Sequence, residues 1–244
     1  MTAVSGAPAP LVPPRPPAGG AGGLPLLRLL QLASPQLPVG AFAWSSGLEG
    51  AVEAGWVQDD AGLGDWLAGL LGGPWAHQDL PALARLHAAW TLGDAVAVAH
   101  WNDWLSATRE TAELRAEDRA LGRALARLLT TLDLPEAAAW AGAEAHTGYA
   151  TMFALAAARW GVPVEATLQA LAWAWIENQV VAATRLMPLG QSAAQRRLAA
   201  LMPDIEAAVA LALALEDDEL GCSAAGLALA SCRHETQYTR LFRS

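Results

Sequence analysis

The sequence predicts an all-α fold, a single-domain bundle of about ten helices behind a disordered N-terminal tail. Three observations predict it. From Leu24 onward, apolar residues recur at helical rather than alternating spacing. The breaks between periodic segments are Pro, Gly and capping residues. No segment longer than a few residues alternates apolar with polar side chains, so nothing reads as a half-buried strand.

Element by element, residues 1–23 contain PAPLVPPRPPAGGAGG and lack any apolar period. Such a segment cannot bury enough surface to offset its ordering entropy, and it reads as a disordered Pro/Gly-rich tail. Leu24 to Ala33 is a short apolar helix with Pro25 tolerated in its first turn. Ser46 followed by Glu49 is a capping box, opening a helix that Gly55 can end. Helical stretches follow at Asp60 to Leu71, Asp79 to Trp90, Asp94 to Leu105 and, longer, Glu110 to Leu129. Two short ones cover Glu136 to His146 and Tyr149 to Trp160. The most apolar helix spans Val164 to Leu186, with Leu168, Leu171, Ala172, Trp175 and Ile176 in one stripe and Trp173, Val180 and Val181 on other faces. A helix apolar nearly all round is central to its domain. Pro188 and Gly190 mark its end, and Ser192 with Gln195 forms a second capping box. A helix over Pro203 to Glu216 precedes a mixed C-terminal tail. The expected organisation is a tail over 1–23, an all-α domain over 24–220 and a C-terminal partner-binding tail over 221–244.

Composition narrows the function. The chain has 244 residues, of which 54 % are hydrophobic and 16 % charged, so most of it can enter a core. All 15 basic residues are Arg, against 24 acidic residues, for a net charge of -9. An acidic chain without a basic arm repels phosphate backbones, which disfavours nucleic-acid binding. Cys222 and Cys232 cannot form a disulfide framework, and they suggest a reducing cytosol. The longest apolar run, Ala207 to Leu215, falls short of the roughly 20 residues of a spanning helix, and no secretory signal is visible. The expected location is cytoplasmic, away from membranes.

Three constellations could carry chemistry. Cys222, Cys232 and His234, with His146 far off, offer metal-ligand types at a spacing that fits no metal motif, and two small buried thiols with one exposed His are the better reading. Arg115, Arg119, Arg123 and Arg127 recur every fourth residue, in one slowly turning stripe. Glu113, Glu117 and Asp118 lie within a turn and can pair with it, as a solvated face would, although a partner-binding face stays open. Glu177, Asn178 and Gln179 interrupt the central apolar helix, where an internal network tying neighbouring helices outweighs a catalytic carboxylate. No acid, base or nucleophile set stands out and no Gly-rich phosphate loop is present, so no catalytic, cofactor or metal residue is expected.

Several strings act as a set. They are LLQLASPQLPVGAFAWSSGLE from Leu29 to Glu49, EAGWV at Glu53 to Val57 and SATRETAELR at Ser106 to Arg115. GYATMFALAAARWGVP at Gly148 to Pro163, ATRLMPLGQ at Ala183 to Gln191 and RHETQYTRLFRS at Arg233 to Ser244 complete it. In this order they resemble the urease accessory protein UreF family, from about Leu24 onward. The resemblance implies a cytoplasmic, all-α, non-enzymatic nickel-insertion chaperone without a cofactor. It implies a homodimer that binds UreD (also called UreH), recruits the GTPase UreG and serves apo-urease. The alternative it carries is a regulator of UreG, stimulating GTP hydrolysis through an arginine.

Two segments are singled out with this role in mind. Arg185, Pro188 and Gly190 are expected to form a structural joint: a cation at a helix C-terminus, a helix breaker and a backbone turn. His234, Glu235, Tyr238, Arg240, Leu241 and Phe242 are expected to bind a partner. They sit in a segment too short to own a core, are expected to be loosely ordered alone, and include residue types that dominate interface hot spots.

Overall fold

The computed structural model describes residues 24–142 and 146–244; the predicted tail over 1–23 lies outside them. Ten α-helices follow one another, with no strand among the described residues. Helix α1 (Leu24–Leu32) leads through a 3₁₀ turn at Ala41–Ala43 into α2 (Leu48–Glu53) and α3 (Asp60–Leu70). The Gly72, Gly73, Pro74 stretch reads as a break, but the chain continues as a π-helical passage over Leu71–Asp79, kinked at Gly73, directly into α4 (Leu80–Leu92). Helix α5 (Ala95–Thr108) starts where the Asp94 side chain accepts the Ala97 N–H at 2.9 Å. Thr111 does the same for α6 (Ala112–Thr131), taking the Leu114 N–H at 3.2 Å.

Of the helix predicted over Glu136 to His146, only a 3₁₀ stretch at Pro135–Trp140 forms, and part of the remainder lies outside the described residues. Helices α7 (Tyr149–Arg159) and α8 (Val164–Leu186) match expectation, and α8 lies at the centre. The separate helix expected from Pro203 is corrected: α9 (Gln191–Ala214) runs through Pro203 without interruption. Leu198, Leu201, Ile205, Ala208, Val209 and Ala212 keep one buried stripe across the proline, so burial offsets the lost backbone bond. Both predicted capping boxes are corrected too. Helix α9 begins at Gln191 behind Gly190, which puts Ser192 inside the first turn. At α2 the Glu49 N–H goes to Ser45 at 3.2 Å, while the Ser46 hydroxyl is drawn away to Glu117.

The core is one cluster. Helix α4 packs on α7, and α8 on α9, over the most extensive contacts. Phe153, Leu83, Leu86, Leu125, Leu168 and Ile176 are fully enclosed there. The last helix, α10 (Ala225–Glu235), lies across α2 and the start of α6.

Candidate functional site

The residues singled out near the C-terminus do not hang free. Helix α10 crosses α2 so closely that a Cβ on Gly50 would fall 2.2 Å from the Ala230 carbonyl oxygen. Glycine is what permits the approach. That crossing puts His234, fully buried, between two carboxylates: Nε2 lies 3.1 Å from Glu49 and Nδ1 2.8 Å from Glu113. Glu49 also accepts the backbone N–H groups of Leu241 at 2.7 Å and Phe242 at 2.8 Å, and the Gln237 side chain at 3.2 Å. Glu113 takes Arg240 at 2.9 Å. One carboxylate thus ties the end of α10 at His234 to Gln237, Leu241 and Phe242 in the irregular chain that follows. A segment too short to own a core borrows polar anchors instead.

The far end of the segment is fixed on the next turn of α6. Glu117 accepts the hydroxyls of Ser46 at 2.6 Å and Ser244 at 2.8 Å. The Ser45 hydroxyl donates to the Ser244 carbonyl, and the Ser45 N–H reaches the same oxygen at 3.1 Å. Ser46 adopts φ 49, a left-handed conformation uncommon outside Gly, Asn and Asp, and the bonds from its hydroxyl and its N–H hold it there. Burial pushes the Glu117 carboxyl up, against the two hydroxyls that favour its charge.

Buried Asp79 and Asp118 with half-buried Arg109 and His146 form a second charged group at the α5–α6 corner. Arg109 pairs with Asp79 and lies 4.0 Å from Asp118; His146 Nε2 is 3.1 Å from Asp118, which also accepts the Tyr149 N–H at 3.1 Å. Burial opposes the Arg109 charge, but Asp79 and Asp118 outweigh it and raise its pKa. Burial likewise works against the Asp118 charge, and His146, Arg109 and the Tyr149 N–H together hold it below the usual range. Asp79 and Arg109 reach a cavity of about 310 Å³ under α1 and α8, walled by Trp75 stacked on Trp175 with ring centroids 4.6 Å apart. Of the polar trio on α8, Glu177 lines this cavity, its carboxyl pushed up by burial, and Asn178 donates to the Trp44 carbonyl at 3.1 Å. Gln179 is buried with neither amide atom hydrogen-bonded, so the network expected there is only partly made.

The structure therefore divides the predicted residues. His234 and Phe242 are interior, while Glu235, Tyr238, Arg240 and Leu241 form an exposed rim above them. The expectation of a loosely ordered segment is corrected, because Glu49, Glu113 and Glu117 supply acceptors from helices distant in sequence. Arg185, Pro188 and Gly190 all face solvent, and Met187 and Leu189 between them turn inward. The acids expected to pair with the arginine stripe point the other way, into the anchor and the Arg109 cluster. No group of His, Cys, Asp and Glu able to hold a metal occurs among the described residues. Sequence reasoning missed Glu49 as a hub and Arg109 as the cation of a buried acid pair, since no local spacing links either to partners so distant in the chain.

Comparison with known proteins adds the last observations. The UreF family profile matches residues 57–202. The urease accessory protein UreF of Alkalilimnicola ehrlichii is 56 % identical over 217 residues, covering 89 % of this chain and 95 % of that protein. The proteins of that name from Chromohalobacter salexigens and Psychrobacter cryohalolentis are 54 % identical over 228 residues and 52 % over 223. Each covers 91 % of this chain and 95 % of the relative.

Proposed function

The chain belongs to the UreF family of urease accessory proteins, and from that premise we propose that it is a non-catalytic, cytoplasmic scaffold for nickel insertion into apo-urease. It joins UreD (UreH) to the GTPase UreG, acts as a homodimer and treats nickel as cargo. Family membership supports the role in urease maturation. One observation supports the scaffold reading above others: the rim of Glu235, Tyr238, Arg240 and Leu241 stands exposed on a base fixed by buried carboxylates. Tyr and Arg dominate hot spots when a partner desolvates them, and a pre-ordered rim lowers the entropic cost of docking.

The test changes the rim and spares the base. Tyr238→Ala combined with Leu241→Ser removes two exposed side chains and leaves the Leu241 N–H bond to Glu49 in place. Thermal stability stays unchanged, while co-purification with UreD, and UreG with it, is lost. A stable double variant that still carries both partners overturns the rim as the interface. GTP turnover by UreG with and without this chain separates a scaffold, which leaves it unchanged, from a regulator acting through an arginine.

A further inference from the structure

Helix α6 sorts its charges by sign. Its acids Glu113, Glu117 and Asp118 turn inward and are engaged by His234, Arg240, Ser46, Ser244, Arg109 and His146. Its arginines Arg115, Arg119, Arg123 and Arg127 occupy the outward side, where Arg115, Arg119 and Arg127 are exposed and Arg123 half-buried. Adjacent members of the row are one helical turn apart, about 6 Å of rise each, so the row extends about 18 Å. Ala112, Ala116 and Ala120 floor a shallow groove alongside Arg115, Arg119 and Arg123, with His146 at its edge. Small floor residues let another backbone come close. The chain as a whole carries a net -9, so this strip is a local reversal of sign.

We propose that this outward face of α6 is a docking strip for an acidic helix of a partner protein. Carboxylates at every fourth position of a helix repeat at the same rise as the guanidinium groups, so the two rows can lie in register, and the alanine floor admits the partner's backbone. A long polyanion such as nucleic acid meets the repulsion of the whole acidic molecule, whereas a short acidic helix meets chiefly the strip. Partial burial and the neighbouring charges of Arg119 and Arg127 both lower the Arg123 pKa, a crowding that carboxylates laid along the row would relieve. Arg119 and Arg123 already hold interactions within the chain, and Arg115 donates to the Arg109 carbonyl at 2.5 Å. The guest adds to these contacts or exchanges with them.

This inference goes beyond the UreD and UreG reading and survives its failure. The probe is a labelled synthetic helical peptide with glutamate at every fourth position, titrated into the full chain at low salt and followed by fluorescence anisotropy. Its controls are a peptide of the same composition with the glutamates consecutive, and a short DNA duplex. The spaced peptide binds best, and binding weakens as salt rises. Replacing Arg115, Arg119 and Arg127 by Gln, which keeps helix propensity, weakens it about tenfold, as the loss of three exposed ion pairs implies. Should the triple variant lose helical circular dichroism, Arg115→Gln with Arg127→Gln is measured instead and gives a smaller loss of the same sign. Equal binding of both peptides, no effect of the variants, or tighter binding of the duplex overturns the proposal. Unchanged co-purification of the variants with UreD leaves the rim reading intact.

Discussion

The α8–α9 joint and the C-terminal anchor are both short irregular segments packed beside a glycine, and they are held in opposite ways. At the joint, Met187 and Leu189 tuck inward, and nothing lies within 4 Å of where a Cβ on Gly190 would sit. At the anchor, Glu49 alone receives four hydrogen bonds, and Gly50 beside it has no room for a Cβ. Apolar burial is non-directional and survives small displacements. A carboxylate with four aimed donors does not. Side-chain identity therefore matters far more at the anchor than at the joint, and substitutions can break or sharpen that contrast.

The largest effect belongs to Gly50→Ala. The added Cβ meets a backbone carbonyl, which no side-chain rotation can relieve, so α2 and α10 must separate. A loss of about 2–3 kcal/mol is expected, read as a lower thermal midpoint with faster hydrogen exchange through α10. An unchanged midpoint would show that the crossing is looser than described.

Why one region is legible in the sequence and the other is not follows from the forces that hold them. Helix α8 is legible because Leu168, Leu171, Ala172 and Ile176 repeat at the helical period and are buried because of it. Helix α9 shows the limit, since Pro203 reads as a start until the stripe from Leu198 to Ala212 is seen to bury across it. The anchor is illegible. Glu49 sits 185 residues from His234, and nothing local distinguishes it from an ordinary capping-box acid. The arginine row on α6 is visible as a pattern, yet which way its acids turn depends on partners supplied by the turn before α2, the α5–α6 corner, the entry to α7, and the C-terminal segment with α10. The resemblance to a family reaches further than either, because ordered strings carry the result of contacts that spacing cannot express.

Next in size is Glu49→Gln. An amide keeps one acceptor oxygen and presents an NH₂ where the other stood. Either the Leu241 and Gln237 donors or the Phe242 and His234 donors then lose their acceptor. A buried donor left unmade costs about 1–3 kcal/mol, and here part of it is recovered by local undocking. Exchange of the Leu241 and Phe242 amides should accelerate more than that of α8, while the global midpoint falls less than in Gly50→Ala. Uniform acceleration across both regions would mean that the anchor and the core open together.

A pH series sharpens the contrast, because neighbouring residues of α6 carry opposite signs. Glu117, in the anchor, has its carboxyl raised by burial, so its contribution is fully present below the unfolded value of about 4.3 and is lost as pH rises through the folded value. Asp118, in the Arg109 cluster, is lowered, so its contribution is present above the unfolded value of about 3.9 and is lost as pH falls. Urea midpoints measured across acid pH should show Glu117→Gln removing the decline toward neutrality and Asp118→Asn removing part of the acid loss. If both substitutions changed the profile in the same sense, the opposed environments would be wrong.

The smallest effect is expected at Gly190, and its sign is the informative part. A glycine after Pro188 reads as a backbone hinge, for which a larger residue would be costly. The structure gives Gly190 φ -73 and ψ 153, an extended conformation open to any L-residue, at the N-cap of α9, where no side chain caps the helix. A serine there meets open space and can offer its hydroxyl to an unpaired N–H of the first turn. Gly190→Ser should therefore stabilise by a few tenths of a kcal/mol, and UreD binding should be unaffected. A clear loss of stability would restore the hinge and place the joint beside the anchor as a residue-specific connection. A gain would show that Met187 and Leu189 hold the joint, and that its glycine is a cap still lacking a side chain.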